Sequence, residues 1–195
     1  MMRLFIALEL EPAVRERLRQ TQDGLRRSVD AHWVRWVQPQ NIHLTLNFLG
    51  EVEAPKVKEL SLAVEAEAAR HGPCTFSVAG LGAFPLPERA RVLWVGLQDP
   101  VGCLAGLHRG LEAALEGAGF AREGRAYTPH LTLGRVRDGS GRQALATLAQ
   151  ALASTPGFQP VASSSGQVIL VRSDLRPDGA AYTILSRHIL RGESR

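Results

Sequence analysis

One tetrapeptide occurs twice in this chain: His43-Leu44-Thr45-Leu46 and His130-Leu131-Thr132-Leu133. With six His and eight Thr among 195 residues, composition predicts only about 0.25 His-x-Thr triplets by chance. Both copies sit in strand-like runs, where successive side chains point to opposite faces. The leucines therefore face a core, and each His-Thr pair projects together from the other face. An imidazole gives or takes a proton near neutral pH, so two facing one cleft suit general acid and general base. Threonine hydroxyls donate hydrogen bonds to oxygens on which charge builds, such as the non-bridging oxygens of a phosphate. Phosphodiester cleavage without a metal uses all four groups. One imidazole deprotonates the nucleophile and the other protonates the leaving ribose oxygen.

The elements that must carry these pairs alternate along the chain. Residues 3–9 read as a buried strand and 11–28 as a helix with Pro12 in its first turn. Residues 42–49 read as a strand and 55–70 as an amphipathic helix. Strands over 74–81 and 91–97 flank a Pro-rich turn, and a Leu/Ala helix over 101–117 ends at its glycines. A strand over 130–136, a helix over 142–153 and strands over 167–172 and 181–189 complete the chain. Ser163-Ser164-Ser165-Gly166 reads as a surface loop. The alternation argues for α+β with mostly antiparallel sheets.

Composition excludes several classes. Hydrophobic residues make up 45% and charged residues 22%, ordinary for a globular protein. No run approaches the roughly 20 apolar residues of a membrane span, and the start is too short and too soon acidic for a secretory signal. Cys74 and Cys103 make no disulfide framework and match no metal ribbon. A cytoplasmic, metal-free protein without cofactor is the expectation. No glycine-rich phosphate loop and no G-x-S-x-G elbow occurs. Zinc is the rival use of the two His, but no third ligand stands near either copy at a suitable spacing. Only Lys56 and Lys58 are lysine, so the net charge of +4 is carried by arginine. Arginine suits bidentate phosphate contact, although a GC-rich genome explains the same bias. His32, His71, His108 and His188 read as ordinary satisfied histidines.

At the paired motifs the sequence resembles the 2H phosphoesterases, and among them the RNA 2′,3′-cyclic phosphodiesterases, also called 2′-5′ RNA ligases. Arg35-Trp36-Val37 followed by Asn41-Ile42-His43-Leu44-Thr45-Leu46-Asn47-Phe48-Leu49-Gly50 looks like the family's first motif with its lead-in. Pro129-His130-Leu131-Thr132-Leu133-Gly134-Arg135-Val136 looks like the second. Arg3-Leu4-Phe5-Ile6-Ala7, Leu93-Trp94-Val95-Gly96 and Ser173-Asp174-Leu175 through Tyr182 are also similar, so the likeness covers nearly the whole chain.

The resemblance implies two antiparallel α+β lobes about a pseudo-two-fold axis, with one motif strand in each (42–49 and 130–136), forming one domain over 1–195. It implies that His43 is the proton donor to the leaving 3′-oxygen and His130 the proton acceptor from water, with Thr45 and Thr132 on the phosphate. Neither a cofactor nor a metal is implied. The implied partner is RNA with 2′,3′-cyclic phosphate ends, tRNA halves among them, and the chain is expected to act as a monomer, with no DNA and no membrane. A 2′-5′ ligation runs the same chemistry with a ribose hydroxyl as nucleophile. The alternatives are a non-catalytic module that binds RNA ends, or the same fold acting on small cyclic phosphates such as ADP-ribose cyclic phosphate.

Phe48 and Arg135 pose a geometric conflict. Each lies five residues after its motif His and suits stacking or cation–π contact with a base. Strict alternation puts an odd offset on the core side. Core packing is the competing reading for Phe48. For Arg135 a buried, unpaired guanidinium would be costly, which favours a phosphate or base contact through a bulge helped by Gly134. Tyr127 either lines the cleft or packs on the surface.

Overall fold

The computed structural model describes residues 1–124, 126–176 and 179–192. The chain forms β1 (Met2–Leu8), α1 (Pro12–Arg26), β2 (Val34–Trp36), β3 (Leu44–Val52) and α2 (Lys56–Ala68). It continues through β4 (Cys74–Phe84), β5 (Val92–Gln98), α3 (Cys103–Gly117), β6 (His130–Val136) and α4 (Arg142–Ser154). The last three elements are β7 (Val161–Ser165), β8 (Gln167–Arg176) and β9 (Gly179–Ile189).

The strands make two sheets, ordered β3-β1-β8-β9 and β2-β6-β5-β4-β7, and every pairing is antiparallel. The α+β reading holds. Each motif strand lies beside a strand earlier in the chain, β3 on β1 and β6 on β5, with α1 and β2 between the first two in sequence and α3 between the second two. Strand β2 lies outside β6.

The helices form where an apolar stripe recurs every three or four residues. Val14, Leu18, Gln22 and Leu25 are the buried residues of α1. Leu104, Leu107, His108, Leu111 and Leu115 are those of α3. A polar residue interrupts each stripe. Most of the core is one cluster that includes Leu44, Leu46, Leu131 and Leu133 of the motif strands. A smaller cluster of Phe5, Ala7, Ile169 and Val171, with Tyr182 and Ile184 against it, lies on the other face of the first sheet.

Three expectations change. Cys74 and Cys103 are joined in a disulfide with Cα atoms 5.7 Å apart, because the start of β4 and the first turn of α3 meet at the same end of the fold. The first α3 amides are held there by Asp99, whose carboxylate accepts from Cys103, Leu104 and Ala105 N–H at 2.9, 2.9 and 3.2 Å. Ser163-Ser164-Ser165 is edge strand rather than loop: it pairs with β4 from Cys74 to Phe76. Glu11 secures it by accepting from the Ser164 N–H and hydroxyl at 2.8 and 3.0 Å. The short strand β2, which no local periodicity announces, exists because β6 offers it an edge.

Candidate active site

Each motif enters its strand the same way. The Nδ1 of His43 lies 2.8 Å from the Asn41 carbonyl, and the Nδ1 of His130 lies 2.7 Å from the Thr128 carbonyl. A carbonyl only accepts, so in both rings Nδ1 carries the proton and Nε2 is the free, reactive nitrogen. The first lead-in is itself anchored, since Asn41 Nδ2 donates to the Ala180 carbonyl at 3.0 Å. Aromatic rings fix the imidazoles from the side. Phe5 stacks on His43 with centroids 4.5 Å apart, and Tyr182 meets it edge-on at 5.2 Å. Phe84 meets His130 edge-on at 5.0 Å.

The two His environments interact. Burial pushes the His43 pKa from 6.5 down to about 4, against the support of its Asn41 hydrogen bond, and the charges of Arg15 and His130 add to the fall. The sensitivity to His130 places the two rings in one electrostatic neighbourhood, consistent with the close approach of β3 to β6. Thr45 and Thr132 are half-buried on the same strand faces. Among the described residues neither hydroxyl is taken up by a protein hydrogen bond. The two imidazoles and the two hydroxyls thus belong to strands β3 and β6 or their entrances, which approach each other.

Two bulges resolve the odd-offset conflict. In the β1–β3 ladder Ala7 pairs with Thr45 but Ile6 with Asn47, so Leu46 is the extra residue. A second shift leaves Leu49 extra, and Phe5 then faces Phe48. In the β5–β6 ladder Trp94 pairs with Thr132 but Leu93 with Gly134, so Leu133 is extra. Each motif strand therefore bulges three residues after its His. Phe48 returns to the face of Thr45, 52% exposed and 6.3 Å from the Phe5 ring. Arg135 returns to the face of Thr132 and is exposed. Its charge reaches Tyr182, whose pKa is raised by burial and pulled back by Arg135 and Arg3. Gly134 serves by its size, since a Cβ there would stand 2.7 Å from Val34 Cγ1.

A family model described as LigT like Phosphoesterase matches residues 8–94 and again 95–182, one motif in each stretch. The chain belongs to this family. It is 35% identical over 181 residues to an RNA 2′,3′-cyclic phosphodiesterase of Methanothermobacter thermautotrophicus, covering 93% of this chain and 95% of that one. It is 32% identical over 203 residues to one of Thermus thermophilus, covering 98% and 92%. Among solved structures, TT0787 of Thermus thermophilus superposes with a TM-score of 0.81 at 27% identity, covering 98% of this chain and all of that one. E. coli LigT complexed with 3′-AMP gives 0.75 at 27% identity, covering 97% and 98%.

Within this LigT-like chain, Thr45 and Phe48 share one face of β3 behind His43, and Thr132 and Arg135 share one face of β6 behind His130. Tyr127 does not join them: it stacks on His108, centroids 4.1 Å apart, with its buried hydroxyl held protonated by desolvation and Asp99. A groove of about 500 Å³ lined by Thr75, Ser77, Gln98 and Asp99 contains none of the motif residues. Among the described residues no cluster of three His, Cys, Asp or Glu is placed to hold a metal, and no helix is long and apolar enough to cross a membrane. Residue-level reading missed Phe5, Tyr182 and Phe84 as supports of the rings. As single residues they carry no signal beyond being aromatic. Only Phe5, on β1, sits beside a motif strand, Tyr182 on β9 and Phe84 on β4 lying further across their sheets.

Proposed function

We propose that this LigT-like protein hydrolyses RNA 2′,3′-cyclic phosphate ends to 2′-phosphomonoesters through its two histidines. The observation that supports this most directly is the duplicated ring geometry, with Nδ1 committed in both and Nε2 free in both. The names of its relatives supply the substrate class. Water attacks phosphorus while His130 Nε2 takes its proton. The P–O3′ bond breaks, and His43 Nε2–H protonates the departing O3′. The Thr45 and Thr132 hydroxyls donate to the non-bridging oxygens, where charge accumulates in the transition state. Phe48 and Arg135 flank the terminal base. The protonation states of the two rings have exchanged at the end and reset through solvent. A ribose 5′-hydroxyl in place of water makes the same site a ligase: His130 takes its proton, the P–O3′ bond breaks, His43 protonates O3′, and a 2′-5′ linkage forms.

The two halves are read as quasi-equivalent, one acid and one base, within a single domain acting as a monomer. His43→Ala and His130→Ala should each lower turnover of a cyclic-phosphate dinucleotide about 10²–10⁴-fold, with circular dichroism unchanged. Excess EDTA should leave the wild type unaffected. Near-normal hydrolysis by either variant sinks the mechanism, and loss on EDTA with rescue by zinc points to a metal instead. Binding without turnover in the wild type would identify an RNA-end binding module.

A further inference from the structure

Both bulges that bring Phe48 and Arg135 to the cleft face are held by buried polar side chains from helices. Gln22 of α1 is fully buried, and its Nε2 donates to the Leu133 carbonyl at 2.8 Å and to the Val37 carbonyl at 2.8 Å. Two carbonyls can only accept, which fixes the amide's orientation. His108 of α3 is 5% exposed, and its Nδ1 donates to the Leu46 carbonyl at 2.9 Å. Tyr127 stacks on one face of its ring, centroids 4.1 Å apart, and Glu112 Oε2 lies 3.5 Å from Nε2. Leu46 and Leu133 are the extra residues of the two bulges.

The bracing is also reciprocal. Helix α1 follows β1 of the first sheet and grips the bulge of β6 in the second. Helix α3 follows β5 of the second sheet and grips the bulge of β3 in the first. We propose that Gln22 and His108 are positioning residues, each locking the bulge of one motif strand so that the hydroxyl and the base-flanking side chain share one face. This rests on the reading of the two motifs as the catalytic pair.

The physical case is the period of a strand. A one-residue slip of register sends every following side chain to the opposite face. Closing the Leu46 bulge would turn Phe48 toward the core, and closing the Leu133 bulge would turn Arg135 inward. A bulge leaves its extra residue outside the ladder, so an added donor to that residue's carbonyl favours the bulged register over the regular one. Removing His108 deprives the Leu46 carbonyl of its side-chain donor. Removing Gln22 leaves the Leu133 carbonyl with the Val37 N–H alone and takes the amide from the Val37 carbonyl. These losses weigh on the bulged form. Neither Gln nor His is the economical choice for a helix stripe between leucines. The carbonyls opposite account for them.

The test compares Gln22→Met, which keeps the volume but removes the donor, with His108→Phe, which keeps the Tyr127 stack but removes the donor. His108→Gln is the donor-retaining control. In hydrolysis of a cyclic-phosphate dinucleotide, kcat/KM should fall about 10- to 100-fold in both donor-less variants, the scale of an ångström-sized misplacement. The fall should lie mainly in KM for His108→Phe, through Phe48. For Gln22→Met it should likewise lie mainly in KM, through Arg135, and His108→Gln should recover most of the His108→Phe loss. Amide ¹H–¹⁵N spectra should show shifts confined to 130–136 in Gln22→Met and to 44–50 in His108→Phe. The spectra need no turnover, so a wild type that hydrolyses nothing would overturn the reaction while leaving the bracing to be judged from the shifts. Unshifted motif strands, or equal losses in His108→Gln and His108→Phe, would overturn the proposal. If His108→Phe does not fold, His108→Leu takes its place in the same comparison.

Discussion

The acid role proposed for His43 has a measurable electrostatic condition. Its pKa in the free site is pushed down to about 4, chiefly by burial. At pH 7 roughly one free molecule in 10³ then carries the proton, a cost of about 4 kcal/mol at 1.36 kcal/mol per pH unit. The substrate brings the remedy. A unit negative charge about 4 Å from Nε2, at an effective dielectric near 20, contributes about 4 kcal/mol. That returns the bound His43 pKa to about 7, so a large share of the ring carries the proton at neutral pH only when a phosphate sits against it. The assay is a ¹H–¹³C titration of the His43 Cε1–H resonance, assigned with His43→Gln, in the free protein and with a nucleoside 2′-phosphate bound. The free ring should titrate near 4 and the bound ring near 7 or above. A free value near 6.5 would refute burial as the controlling term. A bound value still near 4 would remove His43 as the acid at neutral pH and exchange its role with that of His130.

The same shift fixes a stability window. The folded pKa lies below the unfolded one, so the unfolded chain binds the extra proton and stability falls as pH drops from about 6.5 to 4, by about 3 kcal/mol in total. Urea unfolding of wild type against His43→Gln should show that difference closing over this window, and parallel curves would contradict it. Arg35 and Arg135 stand opposite each other in the β2–β6 ladder and neither has an acidic partner among the described residues, an arrangement that favours a shared anionic ligand. With an RNA oligomer, log(kcat/KM) against log salt should lose about 0.7 of slope for each arginine replaced by alanine. An unchanged slope removes that arginine from the phosphate path. The Cys74–Cys103 bond closes 29 residues, worth about 3–4 kcal/mol by loop entropy. Reduction should therefore lower Tm by roughly 10 °C, and a Tm unchanged on reduction would show that the bond does not constrain the unfolded chain.

Much of the fold was legible because its signals are local. Helix α1 announces itself through Pro12 and the recurrence of Val14, Leu18 and Leu25, and β6 through an apolar alternation that holds from His130 to Leu133, where the bulge ends it, in a strand that runs to Val136. The motif pair was legible because repetition on an open strand face demands a reason. Non-local features were not. Strand β2 and the serine edge strand β7 are three and five residues long, and what makes them strands is the free edge of a neighbour. The disulfide was unreadable for the same reason, since a separation of 29 residues says nothing about two Cα atoms meeting at 5.7 Å.

The bulges sit between these cases. Nothing in Leu46 or Leu133 marks either as an extra residue, and the alternation rule applied to the His-Thr pairs misplaces Phe48 and Arg135 if carried three residues past the threonines. The trace of the bulges lies far away, in Gln22 and His108, each the one polar residue among the buried positions of its helix. A buried polar side chain in an apolar stripe must satisfy its donors somewhere, and in both helices it does so at the backbone irregularity of a motif strand. The information that aims the base-flanking residues is therefore stored in the opposite half of the chain from the strand it aims. On the proposed reading of the two motifs, that arrangement makes the geometry of each motif strand depend on a helix from elsewhere in the chain.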